Sequence, residues 1–117
     1  MINEIIRNRK SGVVFLEKPV EDKKLEDLFE AARWAPSSMN EQPWRFIFAR
    51  HEDRNSWVKI FNCLNPKNQE WAKHAPILIA SIAHLKSSYN GEPNKYAVHD
   101  LAFAESALMY EAVNKGL

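Results

Sequence analysis

Apolar residues along this chain recur with periods that change from helical to alternating and back. Ile2, Ile5 and Ile6 share one side of a short helix predicted over residues 2–9. Lys10 to Lys18 is too irregular for a helix, and Val13-Val14-Phe15 is read as a short extended piece. From Glu21, Leu25, Leu28, Phe29 and Ala32 recur at i, i+3, i+4 and i+7, which predicts an amphipathic helix ended by Pro36. Trp44, Phe46 and Phe48 alternate with Arg45 and Ile47, which predicts a strand from Trp44 to Arg50. Trp57, Val58, Ile60, Phe61 and Leu64 mark a helix over 54–64, and Pro66 suits the first position of another reaching His74.

The apolar run from Ala75 to Ala83 reads as a buried central strand, with Pro76 at its start where a missing N–H does little harm. Ser87 to Pro93 is a loop. The longest helix is predicted from Tyr96 to Lys115, with Ala97, Leu101, Ala104, Leu108 and Ala112 forming a stripe that lets a neighbour approach closely. The order α, α, β, α, α, β, α describes an α/β or α+β domain. Two strands make a marginal sheet. Gly116 is placed to cap the last helix, and Leu117 follows where a chain more often turns into a core, so the sequence is expected to be part of a longer subunit.

Composition narrows the classes. With 117 residues, 45% hydrophobic and 26% charged, the chain is at most one ordinary globular domain. Sixteen Lys and Arg against 15 Asp and Glu leave +1, so no global field recruits nucleic acid or an anionic membrane. Cys63 is the single cysteine, and neither a CxxC pattern nor metal-ligand spacing of His51, His74, His84 and His99 suggests a metal. With no signal-like N-terminus and no span-length apolar run, a reducing, cytoplasmic setting is expected.

Three polar constellations could carry chemistry. Arg7-Asn8-Arg9-Lys10-Ser11 could hold a phosphate through a guanidinium, an ammonium and a hydroxyl, or it could be a solvated basic helix end. The loop between Pro36 and Pro43 contains Ser37, Ser38, Asn40 and Gln42, neutral groups suited to a flat polar ligand; alternatively it is a plain helix-to-strand turn. Asn68-Gln69-Glu70-Trp71 precedes Ala75-Pro76, and packing of Trp71 is its simpler reading. No serine sits beside a histidine, so no nucleophile with its base is expected, and Glu105 reads as a solvated or paired helix position. No phosphate-binding glycine loop occurs.

Together these constellations resemble the FMN-dependent nitroreductase family. The likeness is carried by Arg9-Lys10-Ser11 followed by Phe15, and by the run Ala-Ala-Arg-Trp-Ala-Pro-Ser-Ser-x-Asn-x-Gln-Pro-Trp-Arg-Phe at 31–46. Asn68-Gln69-x-Trp71 before Ala75-Pro76, and Asp100-Leu101 opening a long helix that ends at Gly116-Leu117, extend it. The run at 31–46 is specific; the other matches are weak alone.

The resemblance implies an α+β fold: a nitroreductase-like mixed sheet flanked by helices, with a long central helix, of which residues 1–117 are the N-terminal part. It implies a homodimer with FMN at the subunit interface, NAD(P)H as co-substrate and a nitroaromatic, quinone or related acceptor. Arg9, Lys10 and Ser11 would hold the FMN phosphate and ribityl chain, Pro36, Ser37, Ser38 and Asn40 would reach it from the partner subunit, and Asn68 would bond the pyrimidine edge. No catalytic side chain is implied. Val13 stands where many relatives carry a further Arg, and Trp71 where some carry Lys. Alternatives are a flavin-binding or interaction module without turnover, and a superfamily relative that destroys flavin or removes halogen.

Overall fold

A computed structural model describes residues 1–117. The elements are α1 (Glu4–Asn8), α2 (Asp22–Arg33), β1 (Trp44–Arg50), α3 (Arg54–Phe61), α4 (Pro66–Ala72), β2 (Ile77–Ala83) and α5 (Ala97–Asn114). One 3-10 turn, Ser38–Asn40, interrupts the loop before β1. The predicted order is reproduced, in an α+β arrangement of five α-helices and one two-stranded sheet. None of the helices is long and apolar enough to cross a membrane.

Local chemistry explains the boundaries. Asn3, Asp53 and Asn65 cap α1, α3 and α4 by accepting backbone N–H groups, as short polar side chains do at helix starts. Pro66 occupies the first turn of α4, where its missing N–H has no helical partner to lose. Gly116 adopts φ +71° and lets Leu117 N–H reach Ala112 C=O, closing α5 in a Schellman turn.

β1 and β2 pair, and the backbone bonds framing the ladder join Pro43 to His84 and His51 to Pro76, so the strands run antiparallel. Two expectations need correction. Val13-Val14-Phe15 forms no strand; Val13 and Val14 are exposed in an irregular segment. Nor is β2 a buried central strand: it is half-buried, with Ser81 and Ile82 exposed, because β1 is its one strand neighbour.

The chain forms two compact units, each built from non-contiguous segments: Met1–Arg9, Asp22–Arg45 and Ser81–Leu117 in the first, Lys10–Glu21 and Phe46–Ala80 in the second. In the first, α2 packs on α5, burying Leu25, Leu28 and Ala32 together with Ala97, Leu101 and Ala104. The small residues predicted as a stripe are what permit that approach. Lys115 Nζ, 2.7 Å from Asp27 and 3.3 Å from Glu111, ties the end of α5 to α2.

In the second unit Trp57 is the largest buried side chain, 2% exposed, with Ala49, Ala72 and Ala75 also buried. Its indole N–H donates to Ala75 C=O at 3.2 Å, and its ring stacks on Phe61 with centroids 4.7 Å apart. Phe15 lies 5.8 Å from Trp71, Arg50 donates to Val20 C=O at 2.6 Å, and His74 bonds Glu17; together they hold the irregular segment 10–21 against the rest of this unit. Trp57→Ala should lower unfolding free energy by about 3–5 kcal/mol, the usual cost of deleting a buried large aromatic. Urea denaturation followed by circular dichroism measures it, and a loss below about 1 kcal/mol would contradict this core assignment.

Candidate functional site

The Pro36–Pro43 loop is shaped by its neighbours more than by its own propensities. Beyond Arg33 the helical bonds tighten to Trp34 N–H with Ala31 C=O and Ala35 N–H with Ala32 C=O, and Pro36 then bars continuation. Met39, Asn40 and Gln42 follow at φ +57°, +52° and +47°. Non-glycine residues rarely occupy that left-handed region, at a cost of about 1–3 kcal/mol each, and persist there only where surrounding contacts dictate the conformation. Asn40 tolerates it well; Met39, 84% exposed, gains nothing from burial to offset it.

Those contacts come from within the loop and from α5. Asn40 N–H donates to Ser37 C=O and Glu41 N–H to Ser38 C=O, at 3.0 and 3.1 Å. Ser37 Oγ accepts Gln42 N–H at 3.0 Å, and the Gln42 amide donates to Asn40 Oδ1 at 3.0 Å. Ser38 N–H donates to Asp100 Oδ2 at 2.9 Å. Asp100 is 4% exposed and sits in the first turn of α5, where the helix dipole favours a carboxylate. Its other oxygen lies 3.6 Å from His99 Nδ1.

Glu41 holds the loop from the other side. Its carboxylate accepts from Ser87 Oγ at 2.6 Å, and from Ser88 N–H and Oγ at 2.9 and 2.8 Å. The Ser87 hydroxyl first, then the Ser88 backbone and hydroxyl, pull the Glu41 carboxyl down to about 2. Ser87 and Ser88 belong to a hairpin-like segment in which Lys86 bridges Pro93 and Asn94 N–H donates to Leu85 C=O. Both nearby carboxylates are thus engaged with internal donors. What the loop can offer a ligand is its hydroxyls and the Asn40 amide, a set that fits a flat polar group and spares it a neighbouring negative charge.

The other expected residues divide between the units. Arg9 caps α1 in the first unit, its backbone N–H bonded to Ile5 C=O, and α1 packs on α5. One helix therefore supports both Arg9 and, through Asp100, the loop holding Pro36, Ser37, Ser38 and Asn40. Lys10, Ser11 and Asn68 belong to the second unit. There the Phe15–Trp71 contact links the segment bearing Lys10 and Ser11 to α4, whose first turn carries half-buried Asn68. Trp71 is a packing residue, as its simpler reading held. Glu105 is paired, accepting a hydrogen bond from Ser81 Oγ.

Sequence reasoning missed the positioning parts of Asp100 and Glu41. Asp100 offered a signal, an acidic residue in a helix's first turn; Glu41 offered none, because Ser87 and Ser88 lie 46 and 47 positions away.

Residues 6–112 match the model of the Nitroreductase family. A nitrobenzene nitroreductase of Ectopseudomonas oleovorans is 46% identical over 53 residues, 45% of this chain and 23% of its own length. A Cupriavidus pinatubonensis protein provisionally named NADH dehydrogenase/NAD(P)H nitroreductase is 32% identical over 96 residues, 82% of this chain and 47% of its own. A crystal structure described as an oxidoreductase containing FMN superimposes with TM-score 0.90 at 30% identity, covering 99% of this chain and 60% of that one. The chain spans less than half the length of these curated relatives.

Two measurements test the loop's supports. Asp100→Ala leaves Ser38 N–H without its acceptor and should destabilise the protein by about 1–3 kcal/mol, read by thermal unfolding; an unchanged Tm would mean the bond contributes nothing. Acid should release Glu41. Because its pKa is depressed in the folded state, its contribution is fully present above the ordinary value of 4.5 and is lost as pH falls towards about 2. Amide exchange at Ser88 should therefore accelerate across that window beyond the intrinsic pH trend, and Glu41→Gln should abolish the excess.

Proposed function

The chain belongs to the nitroreductase family, and on that premise we propose that it is part of an FMN-dependent oxidoreductase passing electrons from NAD(P)H to nitroaromatic, quinone or related acceptors. The observation that carries this reading is the strained Pro36–Pro43 loop, held by Asp100 and Glu41 in a conformation its own residues disfavour. Strain maintained by two buried or bonded carboxylates is characteristic of a ligand-presenting segment. The FMN named for the structural relative, and the NAD(P)H in the Cupriavidus protein's provisional name, support the cofactor and the reductant.

Bound FMN would supply the redox chemistry, accepting hydride from the nicotinamide and delivering electrons to the acceptor. The chain's own residues bind and orient. Arg9 gives a charge-assisted, fork-shaped contact to a phosphate, with the Lys10 ammonium and Ser11 hydroxyl beside it in sequence. Asn68 presents an amide able to donate to one atom and accept from its neighbour, matching the alternating edge of a pyrimidine ring. Pro36, Ser37, Ser38 and Asn40 contribute from a second copy. Their rigid backbone means that little conformational entropy is lost when the ligand arrives. No side chain of this chain is assigned a proton-transfer step.

Sharing a flavin requires a dimer. α5 supports one: it is apolar nearly all round, yet Val98, Phe103, Met109 and Tyr110 are exposed in the single chain. A helix apolar on every side ordinarily lies wholly inside an assembly.

The full-length protein should be yellow, sediment as a dimer, and consume NAD(P)H when given a nitroaromatic or quinone. Arg9→Ala should weaken FMN binding by about 10- to 150-fold, the loss of one charge-assisted phosphate contact worth about 1.5–3 kcal/mol. A colourless protein that takes up no added FMN would refute the proposal. Flavin binding without turnover would replace it with a non-catalytic flavin module, and unchanged affinity in Arg9→Ala would return Arg9 to a solvated helix end.

A further inference from the structure

The second unit contains a cleft of about 460 Å³ that the flavin reading leaves unused. Its polar rim is formed by Glu17, His51, Arg54, Lys73 and His74, which come from three separate stretches of sequence brought together by the fold. Val58 and Phe61 supply an apolar wall over the buried indole of Trp57. Clefts of about 300–1,000 Å³ with an apolar wall and a few convergent polar groups are the usual form of small-molecule sites.

The rim's charges do not cancel. Its one carboxylate, Glu17, is engaged by His74 Nδ1 at 2.5 Å. His51 Nε2 lies 2.8 Å from Arg54 Nη1. A guanidinium can only donate, so in this bond the ring nitrogen is the acceptor. Arg54 and Lys73 are paired with no carboxylate.

Arg54 is also held in place. Its guanidinium lies 4.8 Å from the centroid of the Trp57 ring, and His51 meets the same ring edge-on at 4.9 Å. A cation fixed by an aromatic face and a histidine has already lost much of its rotamer freedom, so less is lost when it binds a ligand. One bond to His51 leaves the remaining N–H groups of the fork available.

We infer that this cleft binds a small aromatic carboxylate, with Arg54 and Lys73 taking the carboxylate and the ring lying against Val58 and Phe61. A planar carboxylate matches the guanidinium fork, and Lys73 adds a point charge. The apolar wall would go uncovered with a bare ion.

Isothermal titration of the full chain, as purified, tests this with benzoate, benzyl alcohol and inorganic phosphate as probes. Benzoate should bind, while benzyl alcohol, lacking the charge, and phosphate, lacking the ring, should not. Arg54→Gln and Lys73→Gln should each weaken benzoate about tenfold or more. Lys73→Gln guards against a folding defect, because the Lys73 side chain packs on no ring and pairs with no carboxylate, whereas Arg54 lies on Trp57. No heat with millimolar benzoate, or unchanged affinity in Lys73→Gln, would overturn the inference. Phosphate binding as well as benzoate would overturn the assignment of the ring to Phe61. The readout is heat of binding without turnover, so failure of the redox proposal leaves this result standing.

Discussion

The buried carboxylate of Asp100 is the constraint on which the polar loop depends. At the start of α5 it sits in a helix dipole that favours its charge, and it offers that charge to a single backbone donor, Ser38 N–H. From this bond the neighbouring backbone departs into the left-handed region at Met39, Asn40 and Gln42. The loop is therefore a product of the helix 62 positions away as much as of its own composition.

Glu41 makes the arrangement two-sided. Its three bonds to Ser87 and Ser88 couple the loop to a second irregular segment, so that the two connections brace one another. Hydroxyl and amide donors around a carboxylate stabilise its ionised form and take up its hydrogen-bonding capacity at once. The carboxylates nearest the loop are occupied, while the neutral groups at Ser37, Ser38 and Asn40 keep hydrogen-bonding capacity for a ligand. α5 extends the same logic: it also packs on α1, whose end bears Arg9, and on α2, whose end launches the loop.

The second unit follows a different plan. Trp57 anchors it, accepting the cation of Arg54 on its ring face and donating its indole N–H to Ala75. The irregular segment carrying Lys10 and Ser11 is held there by the Phe15–Trp71 contact and by the bond from His74 to Glu17, without regular secondary structure of its own. Aromatic residues generous for a chain of this length are thus spent on positioning irregular backbone as well as on filling cores.

Periodicity and punctuation determined most of the elements from sequence alone. Trp44–Arg50 alternates, Leu25, Leu28 and Ala32 fall on one helical face, and Pro66 and Gly116 mark a start and a stop; each is a local signal set by φ/ψ sterics and side-chain direction. The family resemblance was equally legible, because the 31–46 run is contiguous. The burial of β2 departs from its sequence pattern, since an apolar run does not tell how many strands will flank it. Only the tertiary structure decided which carboxylates brace the loop and that His51, Arg54, Lys73, His74 and Glu17 share one cleft. The physical reason is range: dihedral preferences act over a few residues, whereas hydrogen bonds and charge pairing act between whatever groups the packed chain brings within about 3 Å.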